Sequence, residues 1–389
     1  MSKITTTVIA SGLDNPRNLT FGPDGALYVT EAGAGGDGVA VPAPEIGTVF
    51  NYGETGAITR IQDGEQERIL TELPSLALED GSQAFGPQGI GFDENGDLYF
   101  TVGFSTSSEV REENLGPTGS KLGRLYKYNL ETGEQEKLAD FVDYEGLNNS
   151  DGGSDLVSNP YDLLIQEDDL LVLDAGANVL LNVDKETGNN ISLNTIFGPR
   201  NVNGAPMQSV PTDLEIGPDG AYYVSEFTGV PYPEDEASIY RFEPGERPEV
   251  YADGFSNISD IAFGNDGSLY VLEFDSNSLS SEGESGGLIK LSPDGTRTTL
   301  IDDLLDPSGL LVGDDGAIYV SNNGDFANEG EIIKIEEHLS EEPLSFGSSD
   351  SLMENDGYNN SSMFADGDSF IFNTDDFFIC WKSTAHDLA

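Results

Sequence analysis

One pattern recurs six times along this 389-residue chain, and it constrains the fold more than any other feature. Each copy reads proline, any residue, a small or acidic residue, an apolar strand, an Asp-Gly-type turn, a second apolar strand, and usually an acid. The first copy is Pro16-Arg17-Asn18-Leu19-Thr20-Phe21-Gly22-Pro23-Asp24-Gly25-Ala26-Leu27-Tyr28-Val29-Thr30-Glu31. The others begin at Pro87, Pro160, Pro211, Ile258 and Pro307, with turns at Asn95-Gly96, Asp168-Asp169, Asp219-Gly220, Asp266-Gly267 and Asp315-Gly316. Asp-Gly between alternating apolar runs signals a hairpin, because glycine tolerates the positive φ of a tight turn. The copies start 47 to 73 residues apart, the period of a propeller blade with variable loops. The intervals supply third strands, such as residues 57–61, 124–128, 239–242 and 288–291, and fourth strands, such as 68–70 and 298–301.

Four antiparallel strands repeated six times predict an all-β, six-bladed β-propeller over residues 5–336. The last copy has a third strand at Ile332 to Ile335 and no good fourth. The N-terminal run Thr5 to Ala10 has no other partner, so it is expected to complete the sixth blade and close the ring, which removes open sheet edges. Residues 337–389 fall outside the repeat and read as an acidic low-complexity tail.

Composition narrows the function. Lys and Arg total 17 against 71 Asp and Glu, a formal net charge of -54. That sign excludes general nucleic-acid backbone binding and disfavours anionic lipid, whereas it suits a bound cation or a high-salt medium. One cysteine excludes an internal disulfide and multi-cysteine metal sites. Two histidines, His338 and His386, leave little for a Ser-His-Asp triad or a multi-histidine zinc site. No apolar run is long enough to span a membrane, and the first ten residues lack the apolar core of a signal peptide. The chain is expected to be cytoplasmic, or extracellular or periplasmic by a route without such a peptide.

In each hairpin the start of the first strand lies beside the end of the second, so two repeat positions share one face of the ring. The first position holds Asn18, Gly89, Asp162, Asp213, Asp260 and Gly309; the second holds Glu31, Val102, Asp174, Glu226, Glu273 and Asn322. Three consecutive blades thus carry a carboxylate pair: Asp162 with Asp174, Asp213 with Glu226, and Asp260 with Glu273. Two carboxylates about 4 Å apart repel by roughly 1 kcal/mol in water and about 4 kcal/mol at an effective dielectric of 20. A shared mouth needs a cation, retained protons or wide spacing. Oxygen-only ligands point to Ca²⁺ or Mg²⁺. The competing reading makes these acids turn caps that accept backbone N–H bonds. Long loops after the second strands, with Phe104, Phe227 and Tyr232, are expected to wall a small-molecule pocket on the same face. Arg17 either neutralises neighbouring acids or meets an anionic or carbonyl group of the ligand.

Residues 11–38, which run Ser-Gly-Leu-Asp-Asn-Pro-Arg-Asn from Ser11 and end Gly-Ala-Gly-Gly-Asp-Gly at Gly38, closely resemble the opening of the ScyD/ScyE family, named for scytonemin biosynthesis. Residues 52–60 (Tyr-Gly-Glu-Thr-Gly-Ala-Ile-Thr-Arg), 73–77, 119–125 and 225–233 (Ser-Glu-Phe-Thr-Gly-Val-Pro-Tyr-Pro) extend the likeness over about residues 6 to 336. The resemblance implies a propeller of the NHL or strictosidine-synthase-like kind, exported, with a place in the late assembly of an indolic-phenolic pigment. It leaves open an enzyme, a non-catalytic scaffold that also takes a protein partner, and a calcium-dependent lactonase-like hydrolase. Asp162, Asp213 and Asp260 match the location of lactonase metal ligands, but the residues before them (Tyr161, Thr212, Ser259) are not the Asn or carboxylate expected. Residues 349–357 and 365–374 look like the decayed end of a haemolysin-type calcium-binding array, which accompanies secretion without an N-terminal signal.

Overall fold

The computed structural model describes residues 3–43, 48–104, 106–153, 156–188, 190–202, 204–280 and 285–338. The segment 339–389, with Cys380, Trp381 and both array-like stretches, lies outside the described residues. The six hairpins each grow into one antiparallel blade. Their innermost strands are Pro16–Phe21, Pro87–Phe92, Pro160–Ile165, Pro211–Ile216, Ile258–Phe263 and Gly309–Val312. Each innermost strand packs against the next, and the last against the first, so the ring is closed. In the first turn the Gly22 N–H bonds to the Ala26 carbonyl, the Ala26 N–H bonds to Asp24 Oδ1, and Gly25 takes φ 75°. The same Asp-to-N–H brace recurs at Asp219, Asp266 and Asp315.

Alternation along the strands buries both faces of every blade. Leu98 and Phe100 pack toward the first blade, whereas Tyr99 between them packs toward the third. Leu170 and Val172 face the second blade, and Leu171 and Leu173 face the fourth. One apolar cluster fills each of the six blade interfaces in this way. Five of the cations serve the hairpin turns. Arg60, Lys127, Arg241, Lys290 and Lys334, all on third strands, pair with Asp24, Asp97, Asp219, Asp266 and Asp315. Lys185 in the third blade donates instead to the Gln166 carbonyl at 3.0 Å.

The N-terminal strand Lys3–Leu13 pairs antiparallel with Gly330–His338, from Lys3 opposite His338 to Leu13 opposite Gly330. It is the outer strand of the sixth blade, so both ends of the repeat region are locked into one sheet. The long loop of the first blade is itself β-structure: Ala40–Ala43 pairs with the start of a 15-residue strand, Thr48–Gln62. Its glycines allow close approach, since a Cβ on Gly53 would stand 1.9 Å from the Gly35 carbonyl oxygen. The sequence pattern also lacked a sign of the helix Phe141–Asn148, which Asp140 caps by accepting from the Asp143 N–H. Among the described residues no helix is long and apolar enough to cross a membrane.

Leu13 is 1% exposed and packs with Leu19, Val29 and Ile332 across the closure, while Val8 is 51% exposed. Leu13→Ala is expected to lower unfolding free energy by about 2–4 kcal/mol, and Val8→Ala by less than about 0.5 kcal/mol. Urea midpoints compare the two; equal effects would count against the N-terminal strand as ring closure.

Candidate functional site

The innermost strand of each blade is a free sheet edge turned toward the axis, so its backbone groups need partners from the next blade. Hydroxyls supply many of them. Thr30 donates to the Gln88 carbonyl, Thr101 to Tyr161, Thr212 to Ile258, Ser259 to Pro307, and Ser308 to Pro16, at 2.5 to 3.4 Å. Aspartates supply others. Asp162 accepts the Leu214 N–H at 3.2 Å, Asp213 accepts the Ile261 N–H at 3.4 Å, and Asp260 accepts the Leu310 N–H at 2.8 Å. Where the repeat has glycine, the backbone stands in the way of a side chain. A Cβ on Gly89 would lie 2.8 Å from the Asp162 Cα, and one on Gly309 would lie 2.3 Å from the Arg17 carbonyl oxygen.

The six acids expected around one mouth divide into two sets. Asp174, Glu226 and Glu273 turn into their own loops and act as buried hubs. Asp174 accepts from the Ser158 hydroxyl and from the Asn159, Gly176 and Ala177 N–H groups at 2.6 to 3.1 Å. Glu226 binds Arg200, the Ser209 hydroxyl and the Ser238 N–H. Glu273 accepts from the Ser256 N–H and the Ser276 hydroxyl. Glu31, expected to touch ligand, does the same: it accepts the Asp14 N–H at 2.7 Å, the Thr59 hydroxyl and Arg68. These four follow the turn-capping alternative, which satisfies loop N–H groups that would otherwise be orphaned.

Asp162, Asp213 and Asp260 instead face the channel. They line a cavity of about 270 Å³ together with Asn18, Glu215, Leu19, Ile90, Leu163, Leu214 and Leu310. The cavity also touches Thr20, Phe92 and Ile165, near the C-terminal ends of their strands, so it runs from the aspartates toward the hairpin-turn face. The expected direction was the loop face. At the loop end Arg17, Gln88, Tyr161, Thr212, Ser259 and Ser308 are all buried. Arg17 donates to the Gly324 and Ala84 carbonyls and pairs with Asp325 at 3.7 Å. It ties together two neighbouring loops, which also meet where the Gln83 N–H donates to the Asp325 carbonyl. Phe104, Phe227 and Tyr232 are absent from the cavity wall. Phe104 packs with Leu115, Leu122 and Val142, and Phe227 with Tyr232 and Phe274. Loop aromatics without a polar partner in sequence give no sign of whether they face a pocket or each other.

Asn18 donates to Asp162 at 2.9 Å. Burial raises Asp162 to about 6. Burial and the charges of Asp260 and Asp162 push Asp213 well above the usual carboxylate range. Burial, then Asp162, does the same to Asp260. Glu215, which sequence analysis missed, rises to about 8 through burial and the charge of Asp162. Its signal was there: Asp213 and Glu215 are two apart in one strand and share a face. Among the described residues no three His, Cys, Asp or Glu side chains gather as a metal-binding group. The described histidine, His338, lies far from the axis and hydrogen-bonds Thr5.

No protein-family model and no curated protein matches the chain. Solved structures do resemble it in shape. A protein of unknown function from Bacteroides thetaiotaomicron has 12% identity over 87% of this chain and 77% of its own, with TM-score 0.50. A streptogramin B lyase has 14% identity over 87% and 98%, with TM-score 0.46. A structural-genomics target assigned provisionally as a gluconolactonase has 14% identity over 86% and 92%, with TM-score 0.49. The chain is a six-bladed β-propeller, and at these identities the likeness concerns fold alone.

The channel acids set a pH dependence. In the unfolded chain they ionise near pH 4; in the folded chain they hold protons to higher pH. The folded state therefore binds more protons between about pH 4 and 8, and stability falls as pH rises through that window. Calorimetric melting at pH 5 to 8 is expected to show a falling Tm. Asp213→Asn is expected to raise Tm relative to the parent by an amount that grows with pH. A difference independent of pH would show that Asp213 is already ionised in the fold.

Proposed function

We propose that this protein is a ScyD/ScyE-like propeller that binds a small aromatic ligand in its central channel, in or beside secondary-metabolite (pigment) biosynthesis. One observation carries the reading: an acid-floored, leucine-walled cavity of about 270 Å³ on the ring axis. That size is just below the usual span of small-molecule pockets, and apolar walls with a few convergent polar groups are their usual build. Leu19, Ile90, Leu163, Leu214 and Leu310 offer flat apolar contact to a ring, and the floor offers hydrogen bonds. The likeness of residues 11–38 and 225–233 to the ScyD/ScyE family supports the pigment setting and an exported location. Ca²⁺ or Mg²⁺ is the competing occupant of the same acids.

Among the described residues, no serine, cysteine or histidine nucleophile–base pair lines the cavity. Any turnover would rest on the carboxyls as general acid and base, or on a metal-bound water. Assays on indole–phenol condensation products and on lactones separate an enzyme from a non-catalytic scaffold.

Binding is tested by calorimetry with indole and 4-methylphenol as probes. Both are expected to saturate the wild type, and Thr20→Trp, which plugs the wide end of the cavity, is expected to abolish binding without lowering Tm. Binding that survives Thr20→Trp places the ligand elsewhere. A parallel Ca²⁺ titration that Asp213→Asn weakens at least about ten-fold would favour the cation instead.

A further inference from the structure

Along an innermost strand the backbone groups face alternately the partner strand and the channel. The first hairpin closes with the Gly22 N–H on the Ala26 carbonyl, and the second with the Asp93 N–H on the Asp97 carbonyl. Gly22 and Asp93 therefore face their partner strands, and Leu19 and Ile90, three residues earlier, face the channel. The equivalent residues Leu214, Ile261 and Leu310 bear out this direction, because their N–H groups reach Asp162, Asp213 and Asp260 of the preceding blade.

That brace is missing in the first two blades. The residue placed to serve Leu19 is Gly309, where the Arg17 carbonyl leaves no room for a side chain. The residue placed to serve Ile90 is Asn18, whose Nδ2 goes to Asp162 instead. Among the described residues no side chain accepts from the Leu19 or Ile90 N–H, and their register turns both away from the ladder. Both residues line the cavity, and each is 6% exposed. Backbone N–H groups left unpaired at such depth are rare, so the two point to an occupant. In an antiparallel strand the carbonyl of a residue points the same way as its N–H, so Leu19 and Ile90 each offer a donor and an acceptor. An open sheet edge of this kind is complemented by another amide. Asp162, Asp213, Glu215 and Asp260 line the same cavity and disfavour an anionic acceptor there.

We propose that the open inner edges of the first two blades recognise an uncharged carboxamide on an aromatic ligand. Its oxygen accepts from the Leu19 or Ile90 N–H, and its own N–H donates to a carbonyl of the same edge. This rests on the channel being the ligand site and adds the chemical class of the ligand. The fourth, fifth and sixth blades cannot serve in the same way, because aspartates already occupy their N–H groups.

Three probes of similar size separate the cases. Benzamide carries both groups, acetophenone only the acceptor, and benzylamine an ammonium in their place. In calorimetry benzamide is expected to bind at least about five-fold tighter than acetophenone. Amide hydrogen exchange read by NMR locates it. Without ligand, Leu19 and Ile90 are expected to exchange faster than Leu214 and Leu310, and saturating benzamide is expected to slow the first two at least about ten-fold. Ile90→Pro deletes an N–H that makes no ladder bond, so it is expected to fold, as melting curves check. It is expected to weaken benzamide at least about five-fold beyond Ile90→Ala. Benzamide that binds no tighter than acetophenone, or that leaves exchange at Leu19 and Ile90 unchanged, would overturn this inference. So would benzylamine binding that Thr20→Trp excludes, with no benzamide binding, and that result would leave the channel as the ligand site. Binding of none of these probes, nor of indole, removes the channel reading and this inference with it.

Discussion

Six free sheet edges meet along one axis, and their backbone groups are too deep for bulk water. The rest of the structure depends on how they are satisfied. In a flat sheet the answer would be another strand. In a closed ring it is the side chain of a neighbouring blade, donated or accepted sideways. Thr30, Thr101, Thr212, Ser259 and Ser308 bind carbonyls of the following blade, and Asp162, Asp213 and Asp260 bind its N–H groups. The hydroxyl ties are electrically neutral. The aspartate ties bring ionisable oxygen into the channel, and they occur in consecutive blades.

That placement ties stability to chemistry. An acid that braces an edge need only accept one N–H from the next blade; Asp162 gives its other oxygen to Asn18. Crowding then decides the protonation state of the group. With Arg17 held by loop carbonyls, burial and the neighbouring acids together raise Asp162, Asp213, Glu215 and Asp260 above the usual carboxylate range. The overall charge of -54 is consequently a poor guide to the channel. Among the described residues, Arg60, Lys127, Arg241, Lys290 and Lys334 offset a small part of it at the hairpin turns.

Residues of one kind took two roles. Asp213 and Glu226 sit at neighbouring ends of one hairpin, with Pro211 opposite Glu226 in register, yet one faces the axis and the other its own loop. A bulge between Pro211 and Asp213 separates them. The same bulge recurs between Pro160 and Asp162 and between Ile258 and Asp260. Repeat spacing counts residues along the chain and is blind to this extra one, which rotates the side chain at the start of the strand. That is why the pairing of six acids around a common rim was read from sequence and did not form.

By itself the sequence determined the number of blades, their hairpins, the strand order and the closure by the N-terminal run Thr5 to Ala10. Those features follow from local turn chemistry and a period-two pattern, both of which are written in consecutive residues. Tertiary structure alone decided which end of the channel is open and which acids line it. It also decided that Phe104, Phe227 and Tyr232 pack inside the loops and that Glu215 reaches the channel. Those outcomes depend on distances between blades some fifty residues apart and on how little water the ring admits, and neither quantity is carried by any one repeat.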